Sequence, residues 1–290
     1  MKIFVTGANG LLGHQVVKLA LNAGHEVIAS YVGQPPVGGK PLELDLTKLQ
    51  SIRQTIVKLG PDAIIHTAAH TNVDGCETDR ELAHKLNADA AREIALAANE
   101  LGAHLTHIST DYIFDGEKGL YKEDDNPRPV NYYGHTKLEG EVYVKADSKN
   151  WCIARTSATY GWGGEKKNFA TWLVENLSAG KQVKVVTDQY VSPTLNMNLA
   201  EMVLEISERK LTGVLHTAGA SRASRYDFAV ELAKVFNLNR DLIKQVKVKD
   251  MSWPAKRPRD SSLDVSKCVG LLKTKPLGTQ EALVTMKAQL

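Results

Sequence analysis

The chain has 290 residues and a formal net charge of +3, with 43% hydrophobic and 24% charged residues. These fractions are close to those of globular proteins, so they exclude a disordered chain and allow a sizeable core. Lys and Arg are scattered over both halves, which argues against nucleic acid or a membrane surface as a partner. The length suits a large domain with a smaller second domain.

Cysteine and histidine usage argues against a disulfide framework and a metal site. The cysteines Cys76, Cys152 and Cys268 lie far apart and form no C-x-x-C motif. No histidine sits in an H-E-x-x-H motif, so packing and hydrogen-bonding roles are predicted for the histidines. No apolar run approaches the ~20 residues of a membrane span, and the N-terminus is unlike a cleavable signal. We therefore expect a cytoplasmic protein.

The first two dozen residues are predicted to form a strand, a glycine turn and a helix. Lys2–Thr6 is a short apolar run, and residues 11–23 carry apolar side chains at helical spacing. Gly7 permits a tight turn, Gly10 lets the backbone approach a pyrophosphate, and Gly13 lets helix and strand pack closely. The unpaired amides at the helix start then face the anion.

The spacing G-x-x-G-x-x-G is one residue off the usual G-x-G-x-x-G dinucleotide motif, so a turn with only a packing role is the alternative. The flanking strand and helix favour a dinucleotide site. The acid that normally ends the second strand to hold a ribose hydroxyl is absent, because Ser30 and Tyr31 stand there. This absence permits NADPH, although no arginine follows to favour it and NADH remains the alternative cofactor.

Other segments are predicted to complete the cofactor site. The Asp45 carboxylate either faces the adenine amino group or caps a helix at 47–59. The small residues after the strand at 62–66 let a cofactor lie against the backbone. The residues expected to contact the dinucleotide from all these segments are Gly7, Asn9, Gly10, Leu11, Leu12, Gly13, Ser30, Asp45, Leu46, Ala68, Ala69 and His70.

Strands and helices continue to alternate along the chain. Strands are predicted at 26–30, 42–44, 62–66, 104–109 and Trp151–Thr156, and helices at 47–59, 77–101 and 131–145. This alternation predicts an α/β fold with a Rossmann-type, doubly wound parallel sheet. After residue 155 the pattern is less regular, with helices at 168–179, 196–206 and Arg225–Phe236, strands at 183–187 and 213–217, and a basic tail that contains proline.

We therefore expect a dinucleotide-binding domain at 1–155 and a smaller, mainly substrate-binding domain at 156–290, with residues 196–217 returning to the main sheet.

Tyr133 and Lys137 are four apart on a predicted helix, so their Cβ atoms lie about 5 to 6 Å apart on one face. An ammonium beside a phenol lowers the phenol's pKa, which makes the tyrosine a usable proton donor and acceptor. An ordinary surface pair is the alternative.

The chain resembles the extended short-chain dehydrogenase/reductases in three motifs: the glycine turn at 7–13, Ser-Thr-Asp at 109–111 and Tyr-x-x-x-Lys at 133–137. The resemblance implies that Thr110 is the hydroxyl that binds the substrate oxygen, with its neighbour Ser109 able to share the role. It also implies that Tyr133 is the proton donor, and that Lys137 activates the tyrosine and holds the nicotinamide ribose. Tyr133 and Lys137 therefore also count as cofactor contacts.

Within that family the chain is similar to the dTDP-4-dehydrorhamnose reductases over nearly its whole length. The similar segments are A-H-T-N-V-D-G-C-E at 69–77, S-T-D-Y-I-F-D-G at 109–116, Y-G-H-T-K-L-E-G-E at 133–141, D-Q-Y-V-S-P-T at 188–194 and R-P-R-D-S-S-L-D at 257–264. The resemblance implies substrate contacts from Thr71, Val73, Thr110, Asp111, Tyr112, Asn168 and Arg257. These reductases commonly carry Trp where this chain has Ala158, so a reductase of another 4-keto sugar nucleotide is an alternative.

The implied activity is NADPH-dependent reduction of the 4-keto group of a nucleotide sugar, with dTDP-4-dehydro-L-rhamnose as the expected substrate. Related dehydratases place a glutamate where this chain has Tyr112, so reduction is preferred to dehydration. A solvated basic tail is the alternative for the Arg257 segment. The same segments also resemble the methionine adenosyltransferase β subunit, a regulatory partner protein, which is the non-enzyme alternative.

A homodimer is expected, because related reductases pair the helices corresponding to 77–101 and 131–145 with their copies across a two-fold axis. Small side chains along the first helix suit the close approach of a second copy, and good helix propensity is the alternative explanation. The alanines concerned are Ala83, Ala90, Ala91, Ala95 and Ala98.

Overall fold

Thirteen short strands and eleven α-helices make up the computed structural model, which describes all 290 residues. The strands are β1 Lys2–Thr6, β2 Glu26–Tyr31, β3 Lys40–Glu43, β4 Ala63–His66, β5 His104–Thr110, β6 Trp151–Thr156, β7 Thr159–Tyr160, β8 Val183–Val186, β9 Tyr190–Val191, β10 Thr194–Leu195, β11 Gly213–His216, β12 Ala223–Ser224 and β13 Ile243–Val246. The helices are α1 Gly13–Asn22, α2 Leu49–Leu59, α3 Val73–Thr78, α4 Arg80–His84, α5 Ala90–Leu101, α6 Tyr132–Asp147, α7 Phe169–Ser178, α8 Asn196–Glu208, α9 Arg225–Phe236, α10 Ser266–Leu271 and α11 Thr279–Lys287.

Seven parallel strands form the central sheet in the order β11-β6-β5-β4-β1-β2-β3. The central strands are buried on both faces, as their apolar sequences require. One face packs against α1, α8 and α10, and the other packs against α2, α5 and α6. The predicted α/β fold with a Rossmann-type, doubly wound parallel sheet is confirmed.

The strand register brings the functional segments to one edge of the sheet. Thr6 lies beside His66, His66 beside His107, and Thr110 beside Thr156. Because all these strands are parallel, the residues that follow each of them meet at the same carboxyl edge. The glycine turn and the segments after β4, β5 and β6 are therefore neighbours.

A second hydrophobic core lies outside the sheet, formed by α7, α9, α11 and the paired strands β8 and β13. The strand β13 and the helices α10 and α11 fall in the region that the sequence predicted to be a basic tail, and that prediction is wrong. These elements are only 4 to 9 residues long, so their periodicity is weak. Pairing with β8 stabilises β13, packing against α9 stabilises α11, and packing against β11 stabilises α10.

The predicted single helix at 77–101 is also wrong, because the chain forms α3, α4, a π-helical segment at Lys85–Asp89 and α5. Asp79 interrupts it, since its side chain accepts the Leu82 amide and caps α4. The alanines expected to face a second copy lie inside the protomer, each 0% exposed, and so cannot form an interface; they are Ala83, Ala90, Ala91, Ala95 and Ala98. No helix combines the length and the hydropathy needed to cross a bilayer.

Packing between the π-helical segment and α6 predicts the effect of a single added methyl group. A Cβ at Gly140 of α6 would lie 2.4 Å from the Asn87 carbonyl oxygen. We expect Gly140→Ala to lower the free energy of unfolding by about 1–3 kcal/mol, because the backbones must separate. Urea denaturation measures this change. The control is Gly270→Ala in α10, where a Cβ meets nothing within 4 Å. Equal stabilities for the two variants would contradict the prediction.

Candidate active site

The glycine turn between β1 and α1 is shaped by two close backbone contacts and one open position. A Cβ at Gly13 would lie 2.1 Å from the Gly7 carbonyl oxygen, and Gly7 itself has a φ of 64°. Those two glycines are therefore required for packing. A Cβ at Gly10 would meet only the Gly7 carbonyl oxygen, at 3.1 Å. The Gly10 face is thus open to a ligand.

The backbone donors beside this opening have no hydrogen-bond partner, and the loop at Gly164 lies against the Leu11 amide. The amides of Leu11 and Leu12 make no hydrogen bond, and α1 has neither a side-chain cap nor an acidic residue in its first turn. Such amides at a helix start are suited to a phosphate oxygen. The residues present therefore fit the pyrophosphate of a dinucleotide, with Gly10 providing the close approach.

Asn9 joins the turn to two neighbouring loops. Its side-chain amide donates to the Val32 carbonyl at 3.3 Å and to the Glu165 carboxylate at 2.7 Å. Ser30 is 1% exposed, and its carbonyl accepts the Ala8 amide at 2.9 Å. The predicted cofactor residue Ser30 therefore lies beneath the turn, with its side chain buried.

Asp45 does not cap the helix that follows it. Its carboxylate accepts the Thr47 amide and hydroxyl, at 2.9 and 2.7 Å, and these bonds lower its pKa. The helix α2 begins only at Leu49, after Lys48, so the N-cap alternative is wrong. Leu46, the other residue predicted from this turn, is buried in the core between the sheet and α2.

The segment after β4 forms the next wall of the site and is held by a residue that the sequence did not reveal. Asn87 accepts the His70 amide at 2.8 Å and donates to the His70 carbonyl at 3.2 Å and to Thr136 at 3.1 Å. It lies in the π-helical segment, which turns its side chain toward the site. The one feature of the sequence that could have pointed to Asn87 is a side-chain amide within an alanine-rich segment.

The residues next to His70 differ in exposure. Ala68 and Ala69 are half-buried at the carboxyl edge, and the Ala68 amide donates to the Thr6 hydroxyl at 3.2 Å. Thr71 is exposed, and Val73 begins α3 behind the Asn72 cap. This one segment therefore carries both predicted cofactor residues, Ala68 and Ala69, and predicted substrate residues, Thr71 and Val73.

Two neighbouring hydroxyls at the end of β5 have different surroundings. Ser109 donates to the buried Glu141 carboxylate at 2.6 Å, and Glu141 forms a two-point ion pair with Arg155 at 2.9 and 2.8 Å. Burial acts to raise the pKa of Glu141, but the Arg155 contact outweighs it and the pKa is lowered. Ser109 is therefore committed to this pair, and Thr110 is the hydroxyl beside the Tyr133 phenol.

The prediction that Lys137 lowers the pKa of Tyr133 is wrong. Burial raises the pKa of the Tyr133 phenol, and the Thr110 hydroxyl acts weakly in the other direction. The Lys137 ammonium instead donates to the Ile108 carbonyl at 2.6 Å. Helical spacing placed the two residues on one face but could not show that the long lysine side chain bends toward β5. The phenol therefore keeps its proton at neutral pH.

Lys137 lies in a buried, mostly neutral polar cluster. Burial lowers the pKa of Lys137 to about 8, while Glu141 acts to raise it. The ammonium lies 3.5 Å from His107 Nε2, and the His107 ring lies 5.1 Å from that of His66, centre to centre. Burial lowers the pKa of both histidines, and His66 also shares a hydrogen bond of 2.7 Å with Thr6. The predicted hydrogen-bonding role of the histidines is confirmed for these two.

Asp111, predicted to touch substrate, is instead 2% exposed and fully engaged by hydroxyls. Its carboxylate accepts from Thr110 at 3.1 Å, from Ser157 at 2.9 Å and from Ser261 at 2.5 Å. Burial raises its pKa, and these donors act to lower it. A substrate contact at this carboxylate is therefore excluded, because the residue links β5 to the segments after β6 and before α10.

Arg257 is neither a solvated tail residue nor a free cation. Its guanidinium makes two hydrogen bonds to the Asp74 carboxylate, at 2.9 and 2.8 Å, and lies over the Trp253 ring. Asn168 caps α7, accepting the Thr171 amide at 3.3 Å and donating to the Gly161 carbonyl at 2.8 Å. Both predicted substrate residues thus have internal partners.

Tyr112 and Ala158 complete the substrate side of the edge. The Tyr112 and Tyr133 rings pack edge to face, with their centres 5.9 Å apart. The Tyr112 hydroxyl accepts a hydrogen bond from the Gln189 side-chain amide at 3.1 Å. Ala158 has a φ of 44° and lines a small cavity together with Phe169. No group of three or more His, Cys, Asp or Glu is arranged to hold a metal ion.

Comparison with known proteins identifies the family. The model of the RmlD substrate binding domain matches residues 1–290. The chain belongs to this family. The probable low-salt glycan biosynthesis reductase Agl14 of Haloferax volcanii is 36% identical, over 99% of this chain and 98% of that protein. The bovine methionine adenosyltransferase 2 subunit beta is 30% identical, over 97% and 87% of the two chains.

Solved structures agree with this membership. A hypothetical dTDP-4-dehydrorhamnose reductase from Sulfolobus tokodaii is 41% identical, with a TM-score of 0.86 over 95% of this chain and 96% of that one. A dTDP-4-dehydrorhamnose reductase from Bacillus anthracis, in complex with NADP, is 30% identical, with a TM-score of 0.90 over 100% and 99%. The predicted family is confirmed, and so is the prediction of an NAD(P)-dependent oxidoreductase.

The two kinds of glycine in the turn predict separable effects. We expect Gly10→Ala to weaken NADPH binding about tenfold or more, because its methyl group stands between the phosphate and the amides, while the melting temperature stays within about 4 °C. Gly13→Ala is expected to lower the melting temperature, since its Cβ cannot be accommodated. Calorimetry and thermal melting measure both. Normal NADPH affinity in Gly10→Ala would contradict the cofactor site.

Proposed function

We propose that this RmlD-family protein is an NADPH-dependent reductase of the 4-keto group of dTDP-4-dehydro-L-rhamnose, which yields dTDP-L-rhamnose. The observation that carries the proposal is the placement of a protonated Tyr133 phenol beside Thr110, at the sheet edge that also holds the open glycine turn. Reduction of a ketone needs a proton donor at the oxygen, and a neutral phenol supplies one.

The chain's own residues divide the work around the keto group. When bound, the reduced nicotinamide supplies the hydride for the carbonyl carbon. Tyr133 gives its proton to the carbonyl oxygen, so that a hydroxyl forms. Thr110 fixes that oxygen, and Asp111 holds the Thr110 hydroxyl in place. The Lys137 ammonium, which the Ile108 carbonyl holds in place, would contact the nicotinamide ribose.

The substrate and the cofactor preference rest on different observations. Relatives named as dTDP-4-dehydrorhamnose reductases cover nearly the whole chain, and this supports the sugar nucleotide. No acid stands at the end of β2, where it would repel a 2′-phosphate, and this supports NADPH over NADH. We further propose that residues 156–290, apart from α8 and β11, form the main substrate-binding unit.

The test is an absorbance assay with dTDP-4-dehydro-L-rhamnose and either NADPH or NADH. We expect loss of nicotinamide absorbance, with NADPH at least as effective as NADH. The Tyr133→Phe variant is the control for loss of absorbance that does not depend on the proposed proton donor. Absence of turnover at every enzyme concentration, with both cofactors, would refute the substrate assignment.

A regulatory subunit is the second candidate function, favoured by the 30% identity to the bovine methionine adenosyltransferase β subunit. Stoichiometric co-purification with an adenosyltransferase, without reductase activity, would support it. The reductase is preferred because Thr110, Tyr133 and Lys137 are all present and brought together.

We also propose a homodimer formed through the outward faces of α5 and α6. These faces carry Arg92, which pairs with Asp147 and lies over Tyr143, so a self-complementary contact would be polar and aromatic. A cytoplasmic location is proposed as well, since all the cysteines are free. Light scattering that gives only a monomer mass would refute the dimer.

Substitution of the hydroxyl residues separates chemistry from structure. We expect Tyr133→Phe and Thr110→Ala to lower kcat by about 10²-fold or more, with NADPH affinity unchanged in Tyr133→Phe, because each removes a group that acts on the substrate oxygen. Ser109→Ala is the matched control, since its hydroxyl serves Glu141. Its kcat should stay within about threefold of wild type while stability falls. Full activity of Tyr133→Phe would show that the mechanism is wrong.

The pKa of Lys137 predicts a pH limit. Lys137 is protonated below about pH 8 and loses its charge as the pH rises through that value. We therefore expect kcat/KM to fall above about pH 8, approaching tenfold per pH unit. Initial rates measured from pH 6.5 to 9.5 test this, and the residual activity of Lys137→Met should lack the break. A flat wild-type profile would contradict the assignment.

A further inference from the structure

We propose that Arg225 is the residue that binds the diphosphate of the nucleotide-sugar substrate, in place of Arg257. This inference rests on the proposed function. A nucleotide sugar brings a strongly negative diphosphate, for which an unpaired arginine fork is the best protein partner. The guanidinium of Arg257 is already paired with Asp74, whereas Arg225 has no such partner.

Arg225 is half-buried, yet its side chain makes no hydrogen bond and no ion pair. The guanidinium carbon lies 5.2 Å from the centre of the Phe169 ring. An aromatic face holds a guanidinium by its plane and leaves the N–H groups at its edge free for oxygen acceptors. A half-buried guanidinium whose N–H groups have no protein partner is suited to an anionic ligand.

A small cavity next to Arg225 contains a second, independent observation, a buried hydroxyl without a partner. It is lined by Arg225, Ala158, Phe169, Phe228 and Tyr160 among others. Tyr160 is 1% exposed, and its hydroxyl has no hydrogen-bond partner. A buried hydroxyl without a partner is unfavourable, and a ligand oxygen would satisfy it. The cavity walls are mostly apolar, which strengthens the attraction between a guanidinium and a phosphate.

The cavity is connected to the catalytic edge by direct contacts. The Arg225 amide donates to the Gln189 carbonyl at 3.0 Å, and the Gln189 side chain donates to the Tyr112 hydroxyl at 3.1 Å. Tyr112 in turn packs against Tyr133. The buried Asp111 carboxylate, on whose pKa the Arg225 charge has a lowering effect, is engaged by three hydroxyls and makes no hydrogen bond to Arg225. A diphosphate at Arg225 would therefore lie on the substrate side of the proton donor.

The experiment is calorimetric titration of the full-length, NADP⁺-loaded protein with dTDP, dTMP and thymidine. We expect Arg225→Gln to weaken dTDP binding about tenfold or more, dTMP less, and thymidine not at all, because the lost contact is to phosphate. Arg225→Lys should retain part of the dTDP affinity, since an ammonium keeps the charge but lacks the fork. NADP⁺ affinity should be unchanged in both variants.

The matched control is Arg240→Gln, which removes an exposed arginine of the same unit that lies outside the cavity. It should bind all three ligands like wild type. Unchanged dTDP affinity in Arg225→Gln overturns the inference, and so does an equal loss for thymidine. If Arg225→Gln has a lowered melting temperature, the dTDP and thymidine affinities of Arg225→Lys are used in its place. Unchanged dTDP affinity, or an equal loss for thymidine, then overturns the inference. Failure of the wild type to bind dTDP overturns this inference, whereas the absorbance assay decides the proposed function separately.

Discussion

The buried ion pair between Glu141 and Arg155 fixes the geometry on which the catalytic edge depends. Glu141 is 0% exposed and Arg155 2%, and two hydrogen bonds join α6 to β6. Loss of either partner would leave a buried charge uncompensated, at a cost of about 3–5 kcal/mol. The pair therefore holds α6, which carries Tyr133 and Lys137, in one position against the sheet. It also occupies Ser109 and so leaves Thr110 as the hydroxyl that faces the phenol.

A second buried carboxylate connects that edge to the rest of the chain. The Asp111 carboxylate accepts hydrogen bonds from the hydroxyls of Thr110 on β5, Ser157 after β6 and Ser261 before α10. Because a buried carboxylate is stable only when its oxygens are satisfied, these segments are held together. The position of the Thr110 hydroxyl thus depends on the same carboxylate that holds the segment containing Ser261 at the sheet edge.

Burial moves the titratable groups of the site toward their neutral forms. It raises the pKa of Tyr133 and lowers those of Lys137, His66 and His107. A neutral phenol and a lysine that keeps its charge only below about pH 8 suit a reaction in which a ketone oxygen receives a proton. Charge is retained where a partner is present, as between Arg257 and Asp74.

The sequence alone determined the fold class and the glycine turn, because these depend on local spacing and on the rule that parallel strands share a carboxyl edge. The proposed roles of Thr110, Tyr133 and Lys137 came from the resemblance to a known family. It could not determine where long polar side chains end. Tertiary structure decided that Lys137 bends to Ile108, that Arg257 pairs with Asp74, and that the alanines of α5 face inward. The physical reason is that a charged group's partner can lie more than a hundred residues away, as Asp74 does from Arg257, where no periodicity in the sequence records it.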